Sequence, residues 1–187
     1  VEADFLKASH DEKTFASTVG YPVNRHDHNI NDRNYSSDPN AQALVDTYAR
    51  ELQPDLLITN SKTPAGTPII TSEGIVVSGN NRTMSIKLAI SNYQDKYAAY
   101  VEELEEEYDV FGFEKPVSTL SKFQHPVLVR IDYGIQELTT NELAKYNQQE
   151  TKGKRPVDKA IELSNILMEK EGCSIRIPQI LEKYERM

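Results

Sequence analysis

The alternation of apolar and polar positions divides the chain unevenly. Residues 1–38 show no sustained period. The stretch "YPVNRHDHNINDRNYSSDPN" is dense in Asn, Asp and Ser and predicts loop, with one short strand around Val19 to Val23. From Pro39 the pattern turns helical. Asp38 or a neighbour supplies a cap, proline suits the first helical position, and Leu44, Val45, Tyr48, Ala49 and Leu52 form a stripe ending at Pro54. "TPAGTPIITSEGIVVSG" predicts a hairpin: Pro68 to Thr71 and Ile75 to Ser78 are strands, and Ser72-Glu73-Gly74 turns between them. The second strand passes through Gly79 straight into a helix reaching Asn92, where Met84, Leu88 and Ala89 fall at helical spacing.

The next helix, Gln94 to Tyr108, sets Tyr97, Tyr100, Val101, Leu104 and Tyr108 on one side. Its other side carries the acidic run "EELEEEYD", Glu102 to Asp109, a solvated face. "HPVLVRIDY", His125 to Tyr133, predicts a strand. Thr139, with Glu142 three positions on, makes a capping box for a helix bearing Leu143, Ala144 and Tyr146. "TKGKRPVDKA" connects to a helix over Pro156 to Glu171, ended by Gly172, and "IPQILEKYERM" makes a last short helix. The order predicts an α+β domain over residues 1–155 and a helical C-terminal part over 156–187.

Bulk properties narrow the classes. A length of 187 residues suits one domain with a small appendage, and 38% hydrophobic with 27% charged residues is ordinary for a globular protein. No apolar run approaches the length of a bilayer span, and no signal peptide is recognisable. The single Cys173 excludes an internal disulfide and a cysteine-based zinc cluster, and fits a reducing, cytoplasmic setting. The start on Val1 fits a piece of a longer polypeptide. A net charge of -8 argues against a whole-surface affinity for nucleic acid, although the concentration of acid in one helix leaves room for a local basic patch. Lys145, Lys152, Lys154 and Arg155 cluster around Asn147 and fit either a phosphate contact or a solvated loop.

The strand-to-helix junction carries the strongest chemistry. A helix N-terminus offers unpaired N–H groups and the positive end of a dipole. Gly79 admits a sharp turn or a close ligand, Asn80 and Asn81 bring amides, and Arg82 brings a two-pronged donor. Together these suit a phosphate; the same residues also suit a plain turn with a capping asparagine. For a divalent metal, the candidates are His26 and His28, with Asp27 and Asp32 nearby, and the pair His10-Asp11. A polar surface loop is the favoured reading of the histidine pair, since loops are rich in these residues, and His10-Asp11 ranks above that pair as a metal candidate. His125, just before Pro126 and a strand, is structural.

"GTPIITSEGIVVSGNNRTMSIKLA" resembles the core of the ParB/sulfiredoxin superfamily, in which a proline-led strand (here Gly66 to Ile70) and a second strand lead into a glycine-to-arginine phosphate loop and a helix. "SGNNRT" is most similar to the ParB-like, DdrB-type nuclease domains of phage and mobile-element polyvalent proteins, which typically have Ser-Gly-Asn-Gly-Arg-Thr there. "LKASHD" resembles the N-terminal segment of that subfamily. "NDRNYSSD" stands where ParB-like proteins have a Gln-Pro-Arg turn, with Arg33 at its arginine, and "HPVLVRI" is similar to the strand after the phosphate helix. "ELAKYNQQETKGKRPVDKAIELSNIL" resembles the segment containing Glu-Asn-x-x-Arg. Asn147 keeps its asparagine, while Tyr146 and Glu150 replace its glutamate and arginine.

The likeness runs from Leu6 to Leu167 and implies a small mixed sheet with packed helices. It implies a nucleoside triphosphate, CTP or ATP, or nucleic-acid phosphate held by Ser78, Gly79, Asn80, Asn81, Arg82 and Thr83, with Arg33 and Asn147 completing the pocket. It also implies Mg²⁺, with Glu142 and Glu150 as further candidate ligands, and a bacterial or phage-encoded protein that acts in DNA processing by metal-dependent NTP hydrolysis or DNA cleavage. A non-catalytic nucleotide- or DNA-binding module of a larger protein is the alternative, which the replacements at Tyr146 and Glu150 favour. Sulfiredoxin chemistry needs a cysteine where this chain has Asn80.

Overall fold

The computed structural model describes residues 1–31, 33–58, 66–107, 120–135 and 138–147. The expected C-terminal helices, together with Asp32, Tyr108, Glu150, Lys152, Lys154, Arg155 and Cys173, lie outside the described residues.

Among the described residues there are five α-helices and three short strands, and all but the one-turn helix at Pro54–Leu57, which the sequence pattern does not predict, follow the expected order. Helix α1 spans Pro39–Arg50, α2 Pro54–Leu57, α3 Asn80–Asn92, α4 Gln94–Glu106 and α5 Thr140–Asn147; β1 is Ile69–Ile70, β2 Val76–Ser78 and β3 Arg130–Ile131. The sheet order is β2-β1-β3. β1 pairs antiparallel with β2 and parallel with β3, so the sheet is mixed. Gly74, at a φ of 82°, closes the β1–β2 turn, a left-handed conformation that glycine adopts at little cost.

The unbroken apolar run at β2 has a simple cause: both of its faces are buried. Val76 joins a large core with Ile70, Val45, Ala49, Met84, Ile86, Ala89, Tyr100 and Val127. Ile75 and Val77 face a second cluster with Tyr21, Ile30 and Leu143, against which Tyr146 packs. α1 and α3 pack on each other, and the Ser85 hydroxyl crosses to the Val45 carbonyl at 3.1 Å. α4 is tied to the segment before β3 by its tyrosines: Tyr97 donates to the Pro126 carbonyl at 3.0 Å, and Tyr100 accepts from the Leu128 N–H at 3.0 Å. Burial pushes the Tyr100 hydroxyl up to about 12, since the interior disfavours the charged form.

Three expectations need correction. The strand at Val19 to Val23 does not form. Val19 is 97% exposed, Gly20 turns the chain at a φ of 81°, and Val23 instead faces Asn29 across a tight hairpin. The stripe on α1 is narrower than predicted: Val45, Ala49 and Leu52 are buried, but Leu44 and Tyr48 are exposed, because only one line of the helix meets α3. The strand at His125 to Tyr133 shrinks to Arg130–Ile131. Its first half pairs with the chain start instead, where Ala3 donates to the His125 carbonyl at 2.9 Å and the Glu2 carboxylate accepts the His125 N–H at 2.7 Å.

Candidate functional site

The site is built around the N-terminus of α3. Gly79 precedes the helix in a left-handed conformation (φ 86°, ψ 29°), and no side chain caps the helix there. A side chain at position 79 would be strained and obstructed as well: a Cβ would lie 2.8 Å from Arg82 Nη2 and 3.0 Å from Arg82 Nε. The Arg82 guanidinium therefore lies folded over the glycine, and its Nη1 donates to the Gly66 carbonyl at 2.6 Å. Because β2 runs antiparallel to β1, its end at Ser78 lies beside the start of β1, which brings Gly66, just ahead of β1, within Arg82's reach. The junction thus concentrates the backbone donors of the helix N-terminus and a guanidinium at one place.

The other residues of the loop are placed as follows. Ser78 is buried and paired within the sheet opposite Ile69. Thr83 is fully buried, and its hydroxyl donates back to the Gly79 carbonyl at 3.1 Å. The Asn81 carbonyl accepts from the Ser85 hydroxyl at 2.9 Å, while its side-chain Oδ1 is buried with no hydrogen-bond partner. Asn80 is spent on the protein itself. Its Oδ1 accepts the Ser9 N–H at 2.7 Å, and its Nδ2 donates to Asn31 Oδ1 at 3.3 Å and to the Val76 carbonyl at 3.4 Å.

These bonds close a ring. The Asn31 N–H donates to Asn29 Oδ1 at 2.9 Å, and Asn29 Nδ2 returns to the Ser9 carbonyl at 2.7 Å. The ring stitches the N-terminal loop and the hairpin exit to the first residue of α3. Asn31 then reaches on to the Arg33 carbonyl at 3.0 Å through its Nδ2. The main-chain carbonyl of half-buried Arg33 is thereby linked to the loop through Asn31 and Asn80. Sequence reasoning did not single out Ser9, Asn29, Asn31 or Gly66. The signal available was the run of amides in "NIND", which composition alone does not separate from an ordinary loop.

The metal candidates are not brought together; among the described residues, no three His, Cys, Asp or Glu side chains form a cation cluster. His10 is 5% exposed, its Nδ1 lies 3.0 Å from the Ser9 hydroxyl, and its ring meets Tyr35 edge-on at 5.2 Å. Burial lowers the His10 pKa to about 4. Asp11 turns inward on its own loop and accepts from the Thr14 N–H at 2.7 Å, the Thr14 hydroxyl at 2.8 Å and the Lys13 N–H at 3.0 Å. These bonds, that to the Thr14 N–H foremost, hold its carboxyl below the usual value. His26 and His28 sit exposed on the hairpin, where His26 Nε2 accepts from Arg25 Nε at 3.1 Å. Mg²⁺ takes oxygen ligands in an octahedron, and none of these described groupings supplies such a set. His125 has a buried Nδ1 without a partner and meets Tyr97 edge-on at 6.0 Å, as befits a packed residue.

Helix α5 packs on β2. Tyr146 donates to Asp132 Oδ2 at 2.5 Å, and this bond is the first cause of the lowered Asp132 pKa. Since β3 runs parallel to β1, Asp132 lies at the end of the sheet opposite Gly79. The replacement of glutamate by tyrosine thus anchors α5 to the sheet. Asn147 is the last residue of α5; its side chain, with those of Glu142 and Lys145, lies outside the described residues.

A small mixed sheet whose antiparallel strand turns through a left-handed glycine into a buried helix, with an arginine folded over the turn, defines an α+β domain with a strand-glycine-helix junction. The family model for the ddrB-like ParB superfamily domain matches residues 1–132, and the chain belongs to that superfamily. No curated protein and no solved structure gave a significant match. Among the described residues, no helix is long and apolar enough to cross a membrane.

Proposed function

We propose that this domain binds phosphate groups, of a nucleotide or of nucleic acid, at the N-terminus of α3, and that it serves DNA processing within a larger protein. The observation that carries this reading is the uncapped helix start behind left-handed Gly79, with the Arg82 guanidinium folded over it. Backbone N–H groups there suit oxyanions, and an arginine grips them through paired donors. Membership of the ddrB-like ParB superfamily supports the link to DNA. Arg33, whose carbonyl is tethered through Asn31, is the candidate second cation of the pocket. Mg²⁺ would arrive with a bound triphosphate and offset its charge.

Binding without chemistry is the better-supported form of this proposal. His10 and Asp11 are committed to packing and to a turn, so neither is poised as a metal ligand. Hydrolysis of a nucleotide or cleavage of DNA would need carboxylates from outside this group.

The test is a thermal-shift panel with ATP, CTP, GTP and a DNA oligomer, each with Mg²⁺, on wild type and Arg82→Ala. A ligand at a hundred times its Kd stabilises the fold by about 2.7 kcal/mol, so wild type should melt several degrees higher and Arg82→Ala should not shift. No shift with any ligand would overturn the reading. Plasmid incubated with Mg²⁺ or Mn²⁺ separates a nuclease from a binder: intact plasmid is the expected result.

A further inference from the structure

The two sides of β3 differ. Backbone groups alternate in direction along an extended chain, and residues 125–132 keep that alternation. Even-numbered residues turn toward β1: the Arg130 N–H donates to the Pro68 carbonyl and the Asp132 N–H to the Ile70 carbonyl, each at 2.9 Å. Odd-numbered residues turn the other way. There the Val127 N–H donates to the Val1 carbonyl at 2.8 Å, and the His125 carbonyl accepts from the Ala3 N–H at 2.9 Å. Residues 1–3 thus cover that side as far as Val127. By the same alternation the N–H and C=O groups of Val129 and Ile131 point outward, and among the described residues no strand pairs with β3 on that side. Open backbone groups along an edge are a template for another strand.

Side chains alternate as well. Val129 packs against the main core, and on its face Ile131 is 38% exposed and Tyr133 80% exposed. Arg130 and Asp132 share the opposite face, where Asp132 meets Tyr146 of α5. Two copies of this edge, laid antiparallel about Ile131, are complementary. Ile131 faces its own copy, Val129 faces the partner's Tyr133, and Arg130 faces the partner's Asp132. A β-branched residue opposite an aromatic one and opposite charges across two strands are both favourable pairs. Asp132 already accepts from the Gly134 N–H and the Tyr146 hydroxyl, but a carboxylate takes further donors. Centring the pair on position 130 or 132 would set like charges opposite one another, so the charges also select the register.

We propose that the outer edge of β3 is a self-association surface, through which two copies of this chain pair antiparallel about a two-fold axis at Ile131. Such an interface uses one patch twice, and it lies apart from the α3 N-terminus and its anion.

The test is sedimentation equilibrium on the full 187-residue chain over a concentration series. The mass of wild type should rise from that of a monomer toward twice that value. Ile131→Pro deletes an outward donor and leaves the bonds from Arg130 and Asp132 to β1 in place, so it should stay folded and monomeric. Arg130→Glu changes an exposed side chain and turns both cross-edge attractions into repulsions; it should weaken dimerisation by about ten-fold. Arg130→Lys, which keeps the charge, should dimerise nearly as wild type does. A wild type that stays monomeric at every concentration would overturn the proposal. So would a dimer of unchanged affinity in Arg130→Glu, whatever the folding of Ile131→Pro.

Discussion

The hairpin over residues 23–29 and the amide ring that begins at its exit are built from the same kinds of residue, almost touching in sequence. Their fates differ. At the tip, Asn24 Oδ1 accepts from the His26 and His28 N–H groups at 2.9 and 3.2 Å, and Asp27 takes a φ of 58°. Every one of these bonds is local, and the histidine side chains stay in solvent. At the exit, Asn29 and Asn31 bond to Ser9 and Asn80, far away in the chain, in a buried setting. Polar residues that bond to their neighbours make a turn; polar residues that bond across the fold make a scaffold for a site. By composition the histidines looked more like chemistry than the asparagines did. Geometry reverses that ranking.

The sharpest way to break the comparison is Asn80→Ala. It strands the buried Ser9 N–H and opens the ring, so it should cost about 2–3 kcal/mol in denaturant unfolding. A loss below about 0.5 kcal/mol would put the ring on a par with a surface loop.

A second measurement uses His10, whose Nδ1 touches the Ser9 hydroxyl. Its folded pKa, about 4, lies below the ordinary value of 6.5. Between those values the unfolded chain binds a proton that the folded chain does not, so stability must fall as the pH drops through this window. His10→Gln should remove a pH-dependent loss of about 2 kcal/mol between pH 6.5 and pH 4, taken below the full shift to allow for solvent screening. Unfolding curves that fall in parallel for both proteins would refute that burial argument.

Next in size is a pair of glycine substitutions. Gly20 and Gly79 both have positive φ, but a Cβ at Gly20 meets nothing within 4 Å, whereas one at Gly79 meets Arg82. Gly20→Ala should cost about 1 kcal/mol from backbone strain alone. Gly79→Ala should cost more and should also weaken phosphate binding. Equal costs with unchanged binding would mean that the guanidinium moves aside freely.

The smallest effects belong to the hairpin tip. His26→Ala and His28→Ala should each change stability by no more than about 0.5 kcal/mol, and Zn²⁺ titrations should match wild type. A lost Zn²⁺ affinity would restore the tip as a metal site.

Much of the fold was legible because local signals agreed with the global structure. Asp38 caps α1 through the Asn40 N–H at 3.0 Å, where proline and the polar run had placed a helix start. The Ser72-Glu73-Gly74 turn, the β2-to-α3 junction and the aromatic face of α4 follow from glycine freedom and helical spacing. The extent of the strands was not legible, since pairing depends on what lies alongside: His125 and Pro126 meet the chain start, while Arg130 meets Pro68. The same limit hid the ring, because a side-chain amide in "NIND" does not announce which remote backbone group it will meet.

By itself, the sequence determined the class of fold, the junction at Gly79 and the resemblance to ParB-like domains, because each rests on residues adjacent in the chain. Only the tertiary structure decided which polar residues are scaffold and which are surface. It buried Asn31 and Asn80 together, left His26 and His28 in solvent, and folded Arg82 onto the Gly66 carbonyl. The physical reason is that burial turns an optional hydrogen bond into an obligatory one, and burial is a property of the packed chain.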